Sequence, residues 1–260
     1  MRVLAGFIVV LGLALSVPDG AASAAEKIRL RVTQFAPNYF LKDGRWTGLD
    51  VQLAEAVVKE AGFDIEFVEL PWSRALLYME TGQIDMMANL TRTPDREAFM
   101  HFVGPERISR RVLVVRREHL ELPISNLDEL LKASARTRLP IGIQKDAKYS
   151  EAFDSRLAGD ATFARHFDAV PQGALLAKKT AGGRNLGFFE DQNYVAYQLQ
   201  TNPEFQELAM HSFVLAADPV YFGVSKRAAP GVEKSLEAAF QRLEKNGTLS
   251  RIRMQWGSDK

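Results

Sequence analysis

The sequence predicts an α/β fold in which helices cover a mainly parallel sheet. Three observations carry this. Short apolar or alternating runs of strand length recur along the chain, longer helical periods separate them, and glycines stop the helices where strands are due to begin.

The elements follow in order. Residues 28–33 (IRLRVT) alternate Ile28, Leu30 and Val32 against Arg29 and Arg31, the mark of a strand with one buried face. Asp50 is placed to cap a helix that runs to about Ala61 and stops at Gly62. Residues 65–68 form a second strand, residues 73–81 a helix ended by Gly82, and residues 85–90 a third strand. A second cycle begins beyond residues 112–116 (VLVVR), which are apolar enough for a buried connecting strand. Residues 139–143 and 186–189 are strand-like, and 150–157 and 174–180 helical. The last cycle has a strand at 221–225, a helix from Pro230 in its first turn to Lys245, and a short helix capped by Thr248 that ends near Trp256. Two α/β units are visible, and periodicity alone does not say which segments share a lobe.

Composition narrows the function. The 33 Lys and Arg residues against 32 Asp and Glu residues create no field to draw in nucleic acid or an anionic membrane. With no cysteine there is neither a disulfide framework nor a thiolate zinc site, and the four histidines show no metal-ligand spacing. No cofactor is expected. Residues 1–24 read as a signal peptide: Arg2, an apolar stretch over 3–17, then Ala22-Ser23-Ala24 as the cleavage signature. Arg2 and Asp19 would leave together, so cleavage keeps the net charge at +1. No cysteine follows the apolar stretch to take a lipid. A soluble, periplasmic, monomeric protein is expected.

One region is more specific than the rest. Gly48-Leu49-Asp50 precedes the first helix and Gly82-Gln83-Ile84-Asp85 a strand; Thr91, Thr93, Asp95 and Arg96 follow, then Phe102 and Pro105. The C-terminal run of a strand (YFGVSK), a helix (PGVEKSLEAAFQRLEKNG) and a short helix to Trp256 completes the order. Over residues 28–257 the chain resembles the bacterial extracellular solute-binding proteins of family 3, the periplasmic polar amino-acid receptors of ABC importers. That resemblance implies the type II periplasmic-binding-protein fold, two α/β lobes joined by two crossover segments. Residues 26–111 and 220–260 would form lobe 1 and 112–219 lobe 2, with crossovers near 109–115 and 213–221. A small polar ligand would be buried between the lobes by hinge closure and passed to an ABC permease.

The resemblance also nominates residues. Arg96 matches the arginine that grips the ligand carboxylate, a role suited to a planar guanidinium with two parallel donors. Asn89, Thr91 and Thr93 lie at and beyond a strand's carboxyl end, where open α/β sheets bind ligands; ordinary turn chemistry would use the same residue types. Phe35 and Trp72 match aromatic positions that flank a ligand side chain, unless they simply pack in the core. Arg74, in Pro71-Trp72-Ser73-Arg74, faces either the cleft or solvent. Glu190 falls where the family has an aspartate for the ligand amine, and equally where Glu190 or Asp191 would cap a helix. Many family members close over the carboxylate with a Gly-Ser/Thr-Thr turn. Here the segment reads Gln144-Lys145-Asp146-Ala147-Lys148-Tyr149, so that hydroxyl clamp is missing, and Lys148 either replaces it or is solvated.

Two other functions fit the same pattern. One is an enzyme like the cyclohexadienyl dehydratases of this fold, for which Glu190 is the candidate acid. The other is a sensory subunit that presents its liganded form to a membrane receptor.

Overall fold

The computed structural model describes residues 26–258, and the expected signal segment lies outside them. The strands are β1 Lys27–Val32, β2 Phe40–Lys42, β3 Arg45–Thr47, β4 Asp64–Glu69, β5 Met86–Leu90, β6 Met100–Arg116, β7 Ile141–Gln144, β8 Phe167–Val170, β9 Gly187–Asp191 and β10 Leu208–Ser225. The helices are α1 Leu49–Glu60, α2 Trp72–Thr81, α3 Pro94–Glu97, α4 Leu127–Thr137, α5 Glu151–Gly159, α6 Ala161–Ala164, α7 Ala174–Ala181, α8 Gln192–Thr201, α9 Val232–Lys245 and α10 Thr248–Gln255.

Eight strands form one mixed sheet in the order β4-β1-β5-β10-β6-β9-β7-β8. Its two ends are parallel: β4, β1 and β5 on one side, β9, β7 and β8 on the other. The middle is antiparallel, because β6 and β10 pass through both lobes and pair with each other and with β5 and β9 in the antiparallel sense. β10 lies between β5 and β6 at one end, whereas β6 lies between β10 and β9 at the other. Between them the sheet narrows to these two strands, paired Ala217–Arg110, Asp218–Ser109 and Pro219–Ile108. The protein is therefore two α/β lobes joined by two crossover strands.

Each lobe has its own core on both sheet faces. In the first, Val51, Leu53, Ala54, Val57 and Val58 of α1 meet Leu236, Ala239, Phe240 and Leu243 of α9, while Ala75 and Met79 of α2 cover the opposite face with Met87 and Leu90. In the second, Leu130 of α4 and Phe153 of α5 pack on one face, and Leu176 of α7 with Val195 of α8 on the other.

Two signature segments gain a structural reason. Gly48 has φ 124°, and a Cβ there would stand 2.4 Å from the carbonyl oxygen of Asn38, so only glycine lets α1 start against this loop. Asp85 accepts from the backbone nitrogen of Arg29 and pairs with its guanidinium at 2.7 Å, tying the turn after α2 to β1. Four expectations need correction. Pro230 is not in the first turn of α9, which starts at Val232 with Gly231 as its N-cap. Asp50 does not cap α1, where Gly48 is the N-cap; it turns inward to Arg107 at 2.9 Å. Thr248 is the first residue of α10 rather than its cap, which is Gly247. Arg31 does not point to solvent with Arg29 but is 6% exposed, since Tyr39 and Trp72 cover the end of β1.

Candidate functional site

The carboxyl ends of the parallel strands converge on one cavity of about 330 Å³ between the lobes. From the first lobe come residues just beyond β1 (Thr33, Phe35), β4 (Leu70, Trp72) and β5 (Thr91, with Asn89 inside it). From the second come residues beyond β7 (Lys148, Tyr149) and β8 (Gln172, Gly173), and Glu190 near the end of β9. Parallel strands leave loop residues at these ends, and Trp72 of α2, Ala174 of α7 and Tyr194 of α8 join them in the lining.

Arg96 sits in the single turn of α3, which Thr93 starts by accepting from the Arg96 nitrogen at 3.4 Å. Its side chain is held from two directions: Nη1 donates to the Thr91 carbonyl at 2.9 Å, and Nη2 to the Asp146 carbonyl of the second lobe at 3.4 Å. The guanidinium lies over Trp72, 5.5 Å from the ring centroid. Arg96 is 4% exposed and forms no ion pair among the described residues. Burial and the neighbouring charge of Arg111 push its pKa down to about 10, so it remains a cation at neutral pH.

Glu190 faces the cavity. It pairs with Arg111 of β6 at 3.7 Å and accepts from the Asp191 nitrogen at 2.9 Å. Burial raises its carboxyl to about 7 against the attraction of Arg111. Helix capping falls to the next residue: Asp191 accepts from the nitrogens of Asn193 and Tyr194. Glu190 thus lines the cavity while Asp191 takes the cap, because successive strand residues point to opposite faces.

The aromatic candidates lie at the interface of the lobes. Phe35 stacks on Tyr194 of α8 with centroids 4.1 Å apart and rings 8° from parallel. Trp72 donates its indole N–H to the Asp146 carbonyl at 3.1 Å, and Ser73 donates its hydroxyl to the Asp146 carboxylate at 2.7 Å. The segment that lacks the hydroxyl clamp therefore reaches across through Asp146, whose φ of 61° points its carbonyl at the first lobe.

Of the nine sequence candidates, Arg96, Thr91, Asn89, Phe35, Trp72, Glu190 and Lys148 line this one cavity. Lys148 is half-buried there, 4.0 Å from the exposed carboxylate of Asp95. Thr93 and Arg74 are not brought to it. The Thr93 hydroxyl is used on α3, and Arg74 is exposed on α2, one step from Ala75, whose side of the helix packs inward. The sequence reading missed Arg31, Arg111, Asp146 and Tyr194. Arg31 alternated with core residues as a surface position would, and Tyr194 lay in a helix without a site motif, so neither carried a local signal. Among the described residues no cluster of three or more histidines and acids could hold a metal ion, and no helix is long and apolar enough to cross a membrane.

Comparison with known proteins agrees with this geometry. The family model for bacterial extracellular solute-binding proteins, family 3, matches residues 28–259. A protein of Neisseria gonorrhoeae named "Probable histidine-binding protein" is 27% identical over 244 residues, 90% of this chain and 85% of its own. Two solved structures share the fold. A histidine kinase sensor domain similar to periplasmic binding proteins has a TM-score of 0.74 at 19% identity, covering 90% of this chain and 96% of its own. The arginine-, lysine-, histidine-binding protein ArtJ of Geobacillus stearothermophilus has a TM-score of 0.72 at 20% identity, covering 90% and 97%.

Proposed function

The chain belongs to the bacterial extracellular solute-binding proteins, family 3, and from that premise we propose that it captures an amino acid or related small carboxylate in the cavity between its lobes and presents it to an ABC permease. The observation that carries this reading is Arg96: a guanidinium 4% exposed, lining the cavity, with backbone carbonyls but no carboxylate within ion-pair distance among the described residues. Burying a charge without a counter-charge is costly, and a ligand carboxylate supplies one through two parallel hydrogen bonds.

The other roles follow from position. The Thr91 backbone and hydroxyl and the buried, unpartnered Oδ1 of Asn89 offer polar groups beside Arg96. Phe35 and Trp72 cover the ligand's apolar atoms, and Glu190 receives an amine where the ligand has one. Lys148 closes the rim. We assign residues 26–111 and 220–258 to the first lobe and 112–219 to the second, which the narrowing of the sheet to β6 and β10 supports. Export by a cleaved signal peptide accords with the family and with residues 1–24 of the sequence.

Calorimetry on the mature chain tests the reading. A thermal-shift screen of amino acids and small carboxylates first finds a ligand, since binding to the folded form alone raises its melting temperature. Arg96→Ala should then weaken that ligand by about 2–5 kcal/mol; unchanged affinity removes Arg96 from the site. The raised carboxyl of Glu190 favours one second reading, an acid-catalysed dehydration. Product formed from prephenate or arogenate would support it; saturable binding without turnover is expected.

A further inference from the structure

A second buried guanidinium lines the same cavity. Arg31 is 6% exposed, and only its Nε has an acceptor, the Leu70 carbonyl at 3.1 Å. Its two terminal nitrogens meet no protein acceptor among the described residues, and the guanidinium forms no ion pair. Like Arg96, it lies 5.5 Å from the ring centroid of Trp72, so one aromatic surface serves both cations.

Charge around the cavity is unequal. Arg31, Arg96, Arg111 and Lys148 face Glu69 and Glu190. Glu69 is exposed at the mouth, and Glu190 is already matched by Arg111 and the Asp191 nitrogen. The two most buried cavity cations are thus the two without a carboxylate in contact: Glu69 acts on Arg31, and Asp154 and Asp95 on Arg96, only from beyond ion-pair distance. A zwitterion or a cationic amino acid would satisfy one of them and leave the other uncompensated.

We infer that the ligand carries two carboxylates on a short carbon frame, one gripped by Arg96 and the other by Arg31, with Trp72 along the apolar atoms between them. This rests on the solute-binding reading above and narrows it to dicarboxylates, acidic amino acids included. The chemistry differs from what the names of the Neisseria gonorrhoeae protein and of ArtJ state, histidine for the first and arginine, lysine and histidine for the second.

The test is a calorimetric panel on the mature chain: L-glutamate, L-aspartate, glutarate and succinate against L-glutamine, L-histidine and L-arginine. At least one dicarboxylate should bind more than about tenfold tighter than each of the other three. Arg31→Gln should weaken that dicarboxylate by at least about tenfold and Arg31→Lys by less, and each should weaken it by more than it weakens L-glutamine. Glutamine, histidine or arginine binding as tightly as any dicarboxylate would overturn the inference and leave the solute-binding reading standing. So would an Arg31→Gln variant that weakens all ligands equally, which would make Arg31 a packing residue. If none of the seven binds, the dicarboxylate inference falls, and the solute-binding reading is decided by the wider thermal-shift screen. The panel on the unmodified chain decides the matter even if an Arg31 variant does not fold.

Discussion

Arg107 donates to Asp50 at 2.9 Å, and neither side chain has any exposure to solvent. The contact is part of a larger junction. Arg107 lies in crossover strand β6, Asp50 lies in the first turn of α1 of the first lobe, and the same guanidinium reaches Asp191 at the end of β9 in the second lobe at 3.0 Å. Ser109 also donates to Asp191, at 2.6 Å. Burial works against the charge of Arg107, and Asp50 with Asp191 more than reverses this, keeping it ionised. One crossover residue is thereby tied to both lobes, next to Glu190 of the cavity.

Replacing that residue should be severe. Arg107→Met leaves two buried carboxylates without their cation, and removing one partner of a buried pair costs about 3–5 kcal/mol. Urea denaturation followed by circular dichroism reads the loss directly. A change of less than about 1 kcal/mol would mean that Asp50 and Asp191 find other compensation.

Glu190 should make stability depend on pH. Its ordinary carboxyl value is 4.5 and burial raises it to about 7 in the folded chain. The folded form thus holds a proton that the unfolded form has released, so the contribution is full below about 4.5 and is lost as pH rises to about 7. Its size is on the order of 3 kcal/mol. Glu190→Gln should flatten the stability profile over that window; an identical slope in both proteins would contradict the assignment. The affinity of an amine-bearing ligand should rise over the same window as Glu190 ionises, while that of glutarate should not follow it.

The Asp146 turn should set how long a ligand stays. Asp146→Ala keeps the backbone carbonyl that Trp72 and Arg96 use but removes the acceptor of the Ser73 hydroxyl. One hydrogen bond of about 1 kcal/mol corresponds to several-fold faster dissociation, with association unchanged. Stopped-flow tryptophan fluorescence separates the two rates. Equal dissociation rates would show that the carboxylate adds nothing to closure.

Closure should also weaken when the aromatic contact between the lobes is cut. The Phe35–Tyr194 stack is worth about 0.5–1.5 kcal/mol beyond the area that it buries. Tyr194→Ala should lower ligand affinity up to about tenfold and shift the unliganded chain towards a larger radius of gyration in solution scattering. An unchanged radius together with unchanged affinity would mean that the stack does not bias the closed form.

Much of this protein was legible in the order of its residues. Alternation and helical period located most strands and helices, because burying one face of each element is a local requirement written at fixed spacing. The Thr91–Arg96 segment marked the cavity, since a strand end and the arginine of the turn that follows belong to one short stretch of chain. What residue order could not reveal were relations between distant positions. Asp50 carried the local signal of a helix cap and became one side of a buried ion pair with Arg107. Arg31 carried the signal of an outward strand residue, and only the loop bearing Tyr39 and the start of α2 at Trp72 turned it into a buried cavity cation. Periodicity reports which way a side chain points from its own element. The dielectric it meets, and the charge it lacks, depend on what the rest of the chain brings to that point.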